Sequence, residues 1–172
     1  MLEFAHQEHV KSYYLDSRNQ TFELPPLSQQ EEADVCVIGA GFFGLSAALE
    51  LAEKGKKVIV LEGARVGFGA SGRSGGQAIN GFEEGIDEYI AQVGFDKAKK
   101  LWDMSLEAID IIDERIAKYG IQCDWKKGYA TLALNERRMD DLIEMEKASH
   151  ATFGYDKMQP VSYTHLRAHE TD

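Results

Sequence analysis

The chain has 172 residues, enough for one domain or for one domain and part of another. With 44% hydrophobic and 28% charged residues it has a globular composition, which argues against a disordered, collagenous or disulfide-stapled chain. The 19 basic and 29 acidic residues give a net charge of −10 at pH 7. Because such a surface repels phosphate backbones, we expect no nucleic-acid partner.

The cysteines and the N-terminus favour a cytoplasmic protein. Cys36 and Cys123 are too few for a secreted disulfide framework, and Cys36 lies in an apolar run where a thiol acts as a small hydrophobic side chain. Residues 1–10 have neither the basic start nor the apolar stretch of a signal peptide, and no run of 18 apolar residues occurs. We therefore expect neither export nor a membrane span.

A strand, a helix and a second strand follow a polar N-terminal segment. Residues 1–33 are polar and interrupted by two prolines, which predicts an arm laid over a larger body. The apolar run 35–38 predicts a strand buried on both faces, and residues 42–54 place apolar and small side chains on one helical face. Residues 58–61 are again apolar, so this segment is a βαβ unit with parallel strands.

Beyond the second strand, the chain alternates between loop and amphipathic helix. Residues 63–81 contain seven glycines, which is typical of backbone that bends sharply or runs close to a ligand. Apolar residues recur at helical spacing over 97–119 and 136–152. Two short strands are predicted between these helices, at 123–125 and 129–134, and would begin a second sheet.

The sharpest motif is Gly39-Ala40-Gly41-Phe42-Phe43-Gly44, a G-x-G-x-x-G between the first strand and the first helix. The first glycine permits a tight turn, the second lets backbone approach a pyrophosphate, and the third lets the helix pack close to the sheet. The helix N-terminus then offers N–H groups and a partial positive charge to the phosphates. Alone, the motif is a weak signal, because glycines also serve ordinary turns.

Two further features support a dinucleotide site. Glu62 ends the second strand, where a carboxylate accepts hydrogen bonds from ribose hydroxyls and disfavours the phosphate of NADP. The second glycine stretch, residues 67–77, suits a larger cofactor lying extended across the backbone. The sequence thus predicts an α/β fold with a Rossmann-like dinucleotide-binding βαβ unit, long amphipathic helices and the start of a second, substrate-side sheet. A NAD-dependent Rossmann dehydrogenase and a non-catalytic nucleotide-binding fragment are the alternatives.

Residues 34–77 resemble the FAD-binding N-terminus of the D-amino-acid-oxidase-like flavoproteins. The run V-L-E-G-A-R-V-G-F-G-A-S-G-R-S-G-G-Q, together with Ser12-Tyr13-Tyr14 and I-Q-C-D-W-K-K-G, is most similar to gamma-glutamylputrescine oxidase-type enzymes, and the similarity extends over residues 12–155. One departure stands at Ser74, where that family usually has asparagine in Arg-Asn-Gly-Gly. The shorter serine puts the contact of that side chain in question.

The resemblance implies a FAD-dependent oxidoreductase that oxidises a C–N bond of an amine or amino acid, with hydride transfer to the flavin and reoxidation by oxygen. It implies a small-molecule substrate, gives no metal site and does not indicate an oligomeric state. Catalytic residues and most substrate contacts would lie outside this chain. The implied cofactor-binding residues are Gly39, Gly41, Phe42, Phe43, Gly44, Glu62, Gly63, Arg65, Ala70, Ser71, Gly72, Arg73, Ser74, Gly75, Gly76 and Gln77.

The expected domain organisation has four parts. Residues 1–33 form the arm, 34–119 an incomplete FAD-binding domain, 120–160 the start of a substrate or cap domain, and 161–172 a non-native tail. The tail resembles translated adapter sequence, so we expect a truncated gene finished with foreign residues. His165 and His169, four residues apart in it, lack the third ligand of a zinc site.

Overall fold

The computed structural model describes residues 7–20, 23–83 and 85–161. In chain order the elements are α1 (Tyr13–Asp16), β1 (Val35–Ile38), α2 (Phe42–Glu53), β2 (Val58–Leu61), a 3-10 turn (Ala70–Arg73), α3 (Ile86–Val93), α4 (Phe95–Tyr119) and α5 (Glu136–Phe153). The predicted βαβ unit is confirmed. Its strands pair in parallel, with Val35 opposite Val58 and Ile38 opposite Leu61.

The described chain divides into two compact units. Within the described residues, the first unit lies in the ranges 7–78 and 115–125, and the second lies in the ranges 79–114 and 126–161. The helix α4 contributes residues to both units, and the expected boundary between domains at residue 119 stays a prediction. This helix has 25 residues and is about 37 Å long.

In the first unit, charged side chains join the end of α4 to α2. The guanidinium of Arg115 donates to the hydroxyl of Ser46 at 2.7 Å and to the carboxylate of Glu50 at 3.2 Å. Glu53 accepts hydrogen bonds from Lys118 and Tyr119, which lower the pKa of its carboxyl. Polar contacts therefore fix this helix end, where apolar packing is sparse.

In the second unit, aromatic rings join α4 to the end of α5. The ring of Phe153 stacks on Trp102, with centroids 5.1 Å apart, and on Phe95 at 6.1 Å. Tyr155 meets Trp102 edge to face at 5.5 Å, and burial raises the pKa of its hydroxyl. Offset and edge-to-face pairs of this kind stabilise by about 0.5–1.5 kcal/mol beyond the burial of area.

The first strand is half exposed, so the prediction that both of its faces are buried is wrong. Along β1 the side chains alternate, with Val35 and Val37 half-buried and Cys36 and Ile38 exposed. The helix α2 covers one face of the two-stranded sheet. A parallel sheet needs cover on both faces, and within the described residues the other face lies open, with Ile38 87% exposed.

The second sheet expected after α4 does not form. Residues 121–135 are irregular, and the predicted strands at 123–125 and 129–134 are absent from this described segment. Leu132 and Leu134 are 69% and 91% exposed, so these apolar side chains meet no layer on which a hairpin could pack. An isolated two-stranded hairpin is only marginally stable in water, which explains why these two strands do not form.

The helix α3 was not predicted, although Ile86, Tyr89, Ile90 and Val93 follow helical spacing. Its end at Gly94, which has φ +81°, separates it from α4. None of the helices in the described part of the chain is both long and apolar enough to cross a bilayer.

Candidate cofactor site

The first glycine loop, residues 39–44, turns the chain from β1 into α2. Gly39 takes φ +99°, and its N–H donates to the carbonyl of Leu61 at 2.7 Å, which continues the strand pairing into the turn. A Cβ at Gly44 would lie 2.0 Å from the carbonyl oxygen of Gly39 and 3.3 Å from a methyl group of Val37. Gly44 therefore has the packing role that the motif predicts, since a side chain there would force the helix off the strand.

The carboxylate of Glu62 is held against the first glycine loop. It accepts the N–H of Ala40 at 2.8 Å and the N–H of Ala64 at 3.0 Å. Ala40 is only 2% exposed, whereas Glu62 itself is exposed. An ionised carboxylate has about four lone-pair positions, so acceptor capacity is left for ligand hydroxyl groups.

The second glycine loop, residues 63–77, is fastened to the first at two points. The N–H of Gly67 donates to the carbonyl of Ala40 at 3.0 Å, and the N–H of Phe42 donates to the hydroxyl of Ser71 at 2.9 Å. The loop also folds on itself, because a Cβ at Gly72 would lie 2.1 Å from the carbonyl oxygen of Gly67. The structure thus brings together the segments 39–44, 62 and 67–73.

Gly41→Ala is expected to weaken binding of ADP, the diphosphate half of the cofactor, at least tenfold. A Cβ at Gly41 would lie 2.9 Å from the hydroxyl oxygen of Ser71, so the added methyl group crowds the start of α2. Tenfold corresponds to about 1.4 kcal/mol. Titration with ADP measures the loss, and unchanged affinity would show that the phosphates bind elsewhere.

Ser71→Gly separates the two consequences of that methyl group. It removes the hydroxyl that accepts the N–H of Phe42 but adds nothing at position 41. If Gly41→Ala weakens ADP binding much more than Ser71→Gly does, the methyl group itself obstructs the ligand. Equal losses in the two variants would mean that Gly41 serves only the loop contact.

Arg65 and Arg73 are both engaged within the first unit. Arg65 forms an ion pair with Glu8 of the N-terminal arm; this partner raises the pKa of Arg65 and lowers that of the Glu8 carboxyl. Arg73 donates to the carbonyl of Phe68 at 3.2 Å and lies over the Phe68 ring at 5.6 Å. Sequence reasoning missed Glu8, because nothing local marks one carboxylate in a polar arm.

The remaining candidates are exposed. Phe42 and Phe43 are 66% and 90% exposed at the start of α2. Gly63, Ala70 and the segment 74–77 are exposed too, and Gly76, with φ +73°, donates its N–H to the hydroxyl of Ser74 at 3.3 Å. Sequence reasoning also missed Ala40, whose N–H and carbonyl join Glu62 to Gly67, although its place inside the motif marks it.

These groups suit a dinucleotide. The exposed carboxylate has free lone pairs that ribose hydroxyls could use, and the first turn of α2 leaves N–H groups of the kind that bind phosphate oxygens. In the described ranges no group of three or more His, Cys, Asp or Glu side chains is arranged to hold a metal ion. His165 and His169 lie outside the described residues.

Comparison with known proteins places these features in a family. A family profile described as "FAD dependent oxidoreductase" matches residues 34–171. The chain is 83% identical, over 98% of its length, to the "Probable oxidoreductase OrdL" of Haemophilus influenzae. It is 44% identical, over 81% of its length, to the "Gamma-glutamylputrescine oxidoreductase" of Escherichia coli. No solved structure gives a significant match.

The chain spans 39% of the Haemophilus influenzae protein and 33% of the Escherichia coli protein. The family match reaches residue 171, and the alignment with the Haemophilus influenzae protein covers 169 of the 172 residues. Both matches therefore extend into the segment 161–172, and its foreign origin stays a prediction. Residues 162–172 lie outside the described part of the structure.

If the segment 161–172 is foreign, as the sequence predicts, deleting it leaves thermal melting and cofactor binding unchanged, because such a tail was never selected to pack. The measurement is melting followed by circular dichroism, with FAD titration, on the 172-residue and 160-residue forms side by side. A clearly lower melting temperature after deletion would show that the tail belongs to the fold.

Proposed function

The chain belongs to the FAD-dependent oxidoreductase family, and we propose that it forms the cofactor-binding part of an enzyme that oxidises a C–N bond of an amine or amino acid. The observation that carries the proposal is the joining of the two glycine loops beside the Glu62 carboxylate. The 44% identity to a gamma-glutamylputrescine oxidoreductase supports a substrate of that kind. The family's cofactor disfavours the NAD-dependent alternative.

The residues of the chain bind and orient the cofactor in this proposal. Glu62 accepts the ribose hydroxyls, while its bonds to Ala40 and Ala64 keep the carboxylate in place. The start of α2 and the segment 70–73 would hold the phosphates, and Ser71 in that segment is already fixed by the N–H of Phe42. The segment 74–77 would approach the flavin ring.

FAD held by these residues would supply a hydride acceptor for the carbon that carries the amine, with oxygen as the final electron acceptor. The fixed carboxylate and backbone N–H groups contribute binding energy far from the reacting carbon. Such remote contacts position the reacting groups, which is the main contribution of a protein to cofactor chemistry.

The cofactor is tested by titrating the chain with FAD, ADP and NADH up to millimolar concentrations. FAD and ADP should bind, and NADH should bind more weakly than FAD. We expect little tightly bound FAD and no oxidase activity in the 172-residue chain alone, because it provides only one part of the site. Preferential NADH binding would favour a nicotinamide-dependent protein. If none of the three ligands binds, the chain is better explained as a non-catalytic fragment.

The substrate is tested in a chimera. Joining this chain to the remaining residues of the Haemophilus influenzae relative changes few positions, because the two are 83% identical where they align. Hydrogen peroxide production from gamma-glutamylputrescine, compared with free putrescine and simple amino acids, then measures specificity. Production from none of these compounds, by a chimera that holds flavin, would contradict the proposed reaction.

A further inference from the structure

Residues 7–20 of the N-terminal arm contact the second glycine loop. The carboxylate of Glu8 is paired with the guanidinium of Arg65. The ring of His9 lies beside Phe68, with centroids 6.1 Å apart, and Phe68 also carries Arg73 over its ring. The arm thus reaches the loop on both sides of Gly67.

The arm is fixed at its other end as well. The amide of Asn19 donates to the carbonyl of Gln122 and to the carboxylate of Asp124, both at 3.1 Å. Between these anchors, the hydroxyl of Ser12 accepts the N–H of Leu15 and caps α1. A cavity of about 310 Å³ lies between the arm and the loop and is lined on the loop side by Arg65 and Arg73.

These contacts continue to the candidate cofactor site. Arg65 precedes Gly67 by two residues, and the N–H of Gly67 is bonded to Ala40 of the first glycine loop. A glycine-rich segment loses more conformational freedom on ordering than other sequences do, so it holds one conformation only when it is tethered. The pair of Glu8 and Arg65 is such a tether, formed between residues 57 positions apart.

We propose that the N-terminal arm belongs to the cofactor site, with Glu8 as a positioning residue that holds Arg65 and thereby keeps the second glycine loop closed on the first. This inference rests on the proposed function, since the closed loop is the one that faces the cofactor phosphates. The positioning role also predicts that phosphate binding becomes weaker when Glu8 is removed. If Glu8 only neutralised Arg65, its removal would free a cation and strengthen the binding of phosphate.

The first test needs no ligand. Glu8→Gln should speed amide exchange at Gly67 about two- to fivefold, the effect expected of a partly exposed ion pair. Asp16→Asn removes one negative charge from the same arm at an exposed position and should leave the rate unchanged. The reversed pair, Glu8→Arg with Arg65→Glu, should restore the slow rate, which simple loss of a side chain would not predict.

The second test uses ADP as the probe. Glu8→Gln should weaken ADP binding by a similar factor, and Asp16→Asn should not. Unchanged exchange at Gly67, or ADP binding that stays equal or becomes tighter in Glu8→Gln, would overturn the positioning role. Failure of the wild-type chain to bind ADP or FAD would instead contradict the proposed function, and the exchange experiment would still decide whether Glu8 holds the loop.

Discussion

Gly44→Ala is expected to open the βαβ unit, although alanine is the better helix former by about 0.8–1.0 kcal/mol. The added methyl group would lie 2.0 Å from the carbonyl oxygen of Gly39, which is backbone and cannot rotate away. Overpacking commonly costs about 1–3 kcal/mol, and a clash with backbone belongs at the upper end of that range. The net destabilisation is therefore about 1–2 kcal/mol. Amide exchange in β1 and α2 should become about tenfold faster.

Gly85→Ala is the matched control for this prediction. Gly85 precedes α3 with φ −63°, and a Cβ there meets nothing within 4 Å. Replacement of this glycine should change stability little, because the freedom that the unfolded chain loses offsets the weaker N-cap of alanine. If Gly44→Ala were as harmless as Gly85→Ala, the helix would not need glycine to approach the strand.

Glu62→Ala is expected both to loosen the first glycine loop and to remove most cofactor affinity. It leaves the N–H of Ala40 without its acceptor, and Ala40 is almost fully buried. An unsatisfied buried donor costs about 1–3 kcal/mol. The amide signals of Ala40 and Ala64 should shift together in NMR spectra, because one carboxylate accepts from both.

Glu62→Gln is a milder change than Glu62→Ala. Its side chain keeps one acceptor oxygen for one of the two backbone N–H groups but loses the charge, so ADP and FAD affinity should fall about tenfold, or about 1.4 kcal/mol. Glu32→Gln, at an exposed position ahead of β1, removes the same charge as a control. Equal affinity in Glu62→Gln and Glu32→Gln would mean that Glu62 serves the loop alone.

The helices and the paired strands could be predicted because their signals are local. The strand 35–38 was located from one apolar run, and the predicted helix 97–119 differs from α4 by two residues at its start. The chemical role of Gly44 also follows from sequence, because the spacing of the three glycines fixes a strand, a turn and a helix. The motif and the strand-end acid thus locate segments that the structure brings together, and their binding of a cofactor stays a prediction.

The other features depend on partners distant in the chain. The segment 129–134 has strand-like composition, but a strand needs a neighbour and a layer, and neither is encoded locally. The exposure of Cys36 likewise depends on what covers the second face of the sheet. The pairing of Glu8 with Arg65 joins residues 57 positions apart, and no periodic pattern in the sequence indicates it.

The small number of buried side chains affects how this chain responds to heat and denaturant. Among the described residues, only Ala40, Ala48 and Ala98 are buried hydrophobic residues. The heat-capacity change of unfolding and the denaturant m-value both scale with the surface newly exposed. Both should therefore be small for a chain of this length, and the curve of stability against temperature should be flat. A calorimeter would then record a broad, weakly cooperative transition, and amide-by-amide exchange would resolve the stability of each segment more sharply.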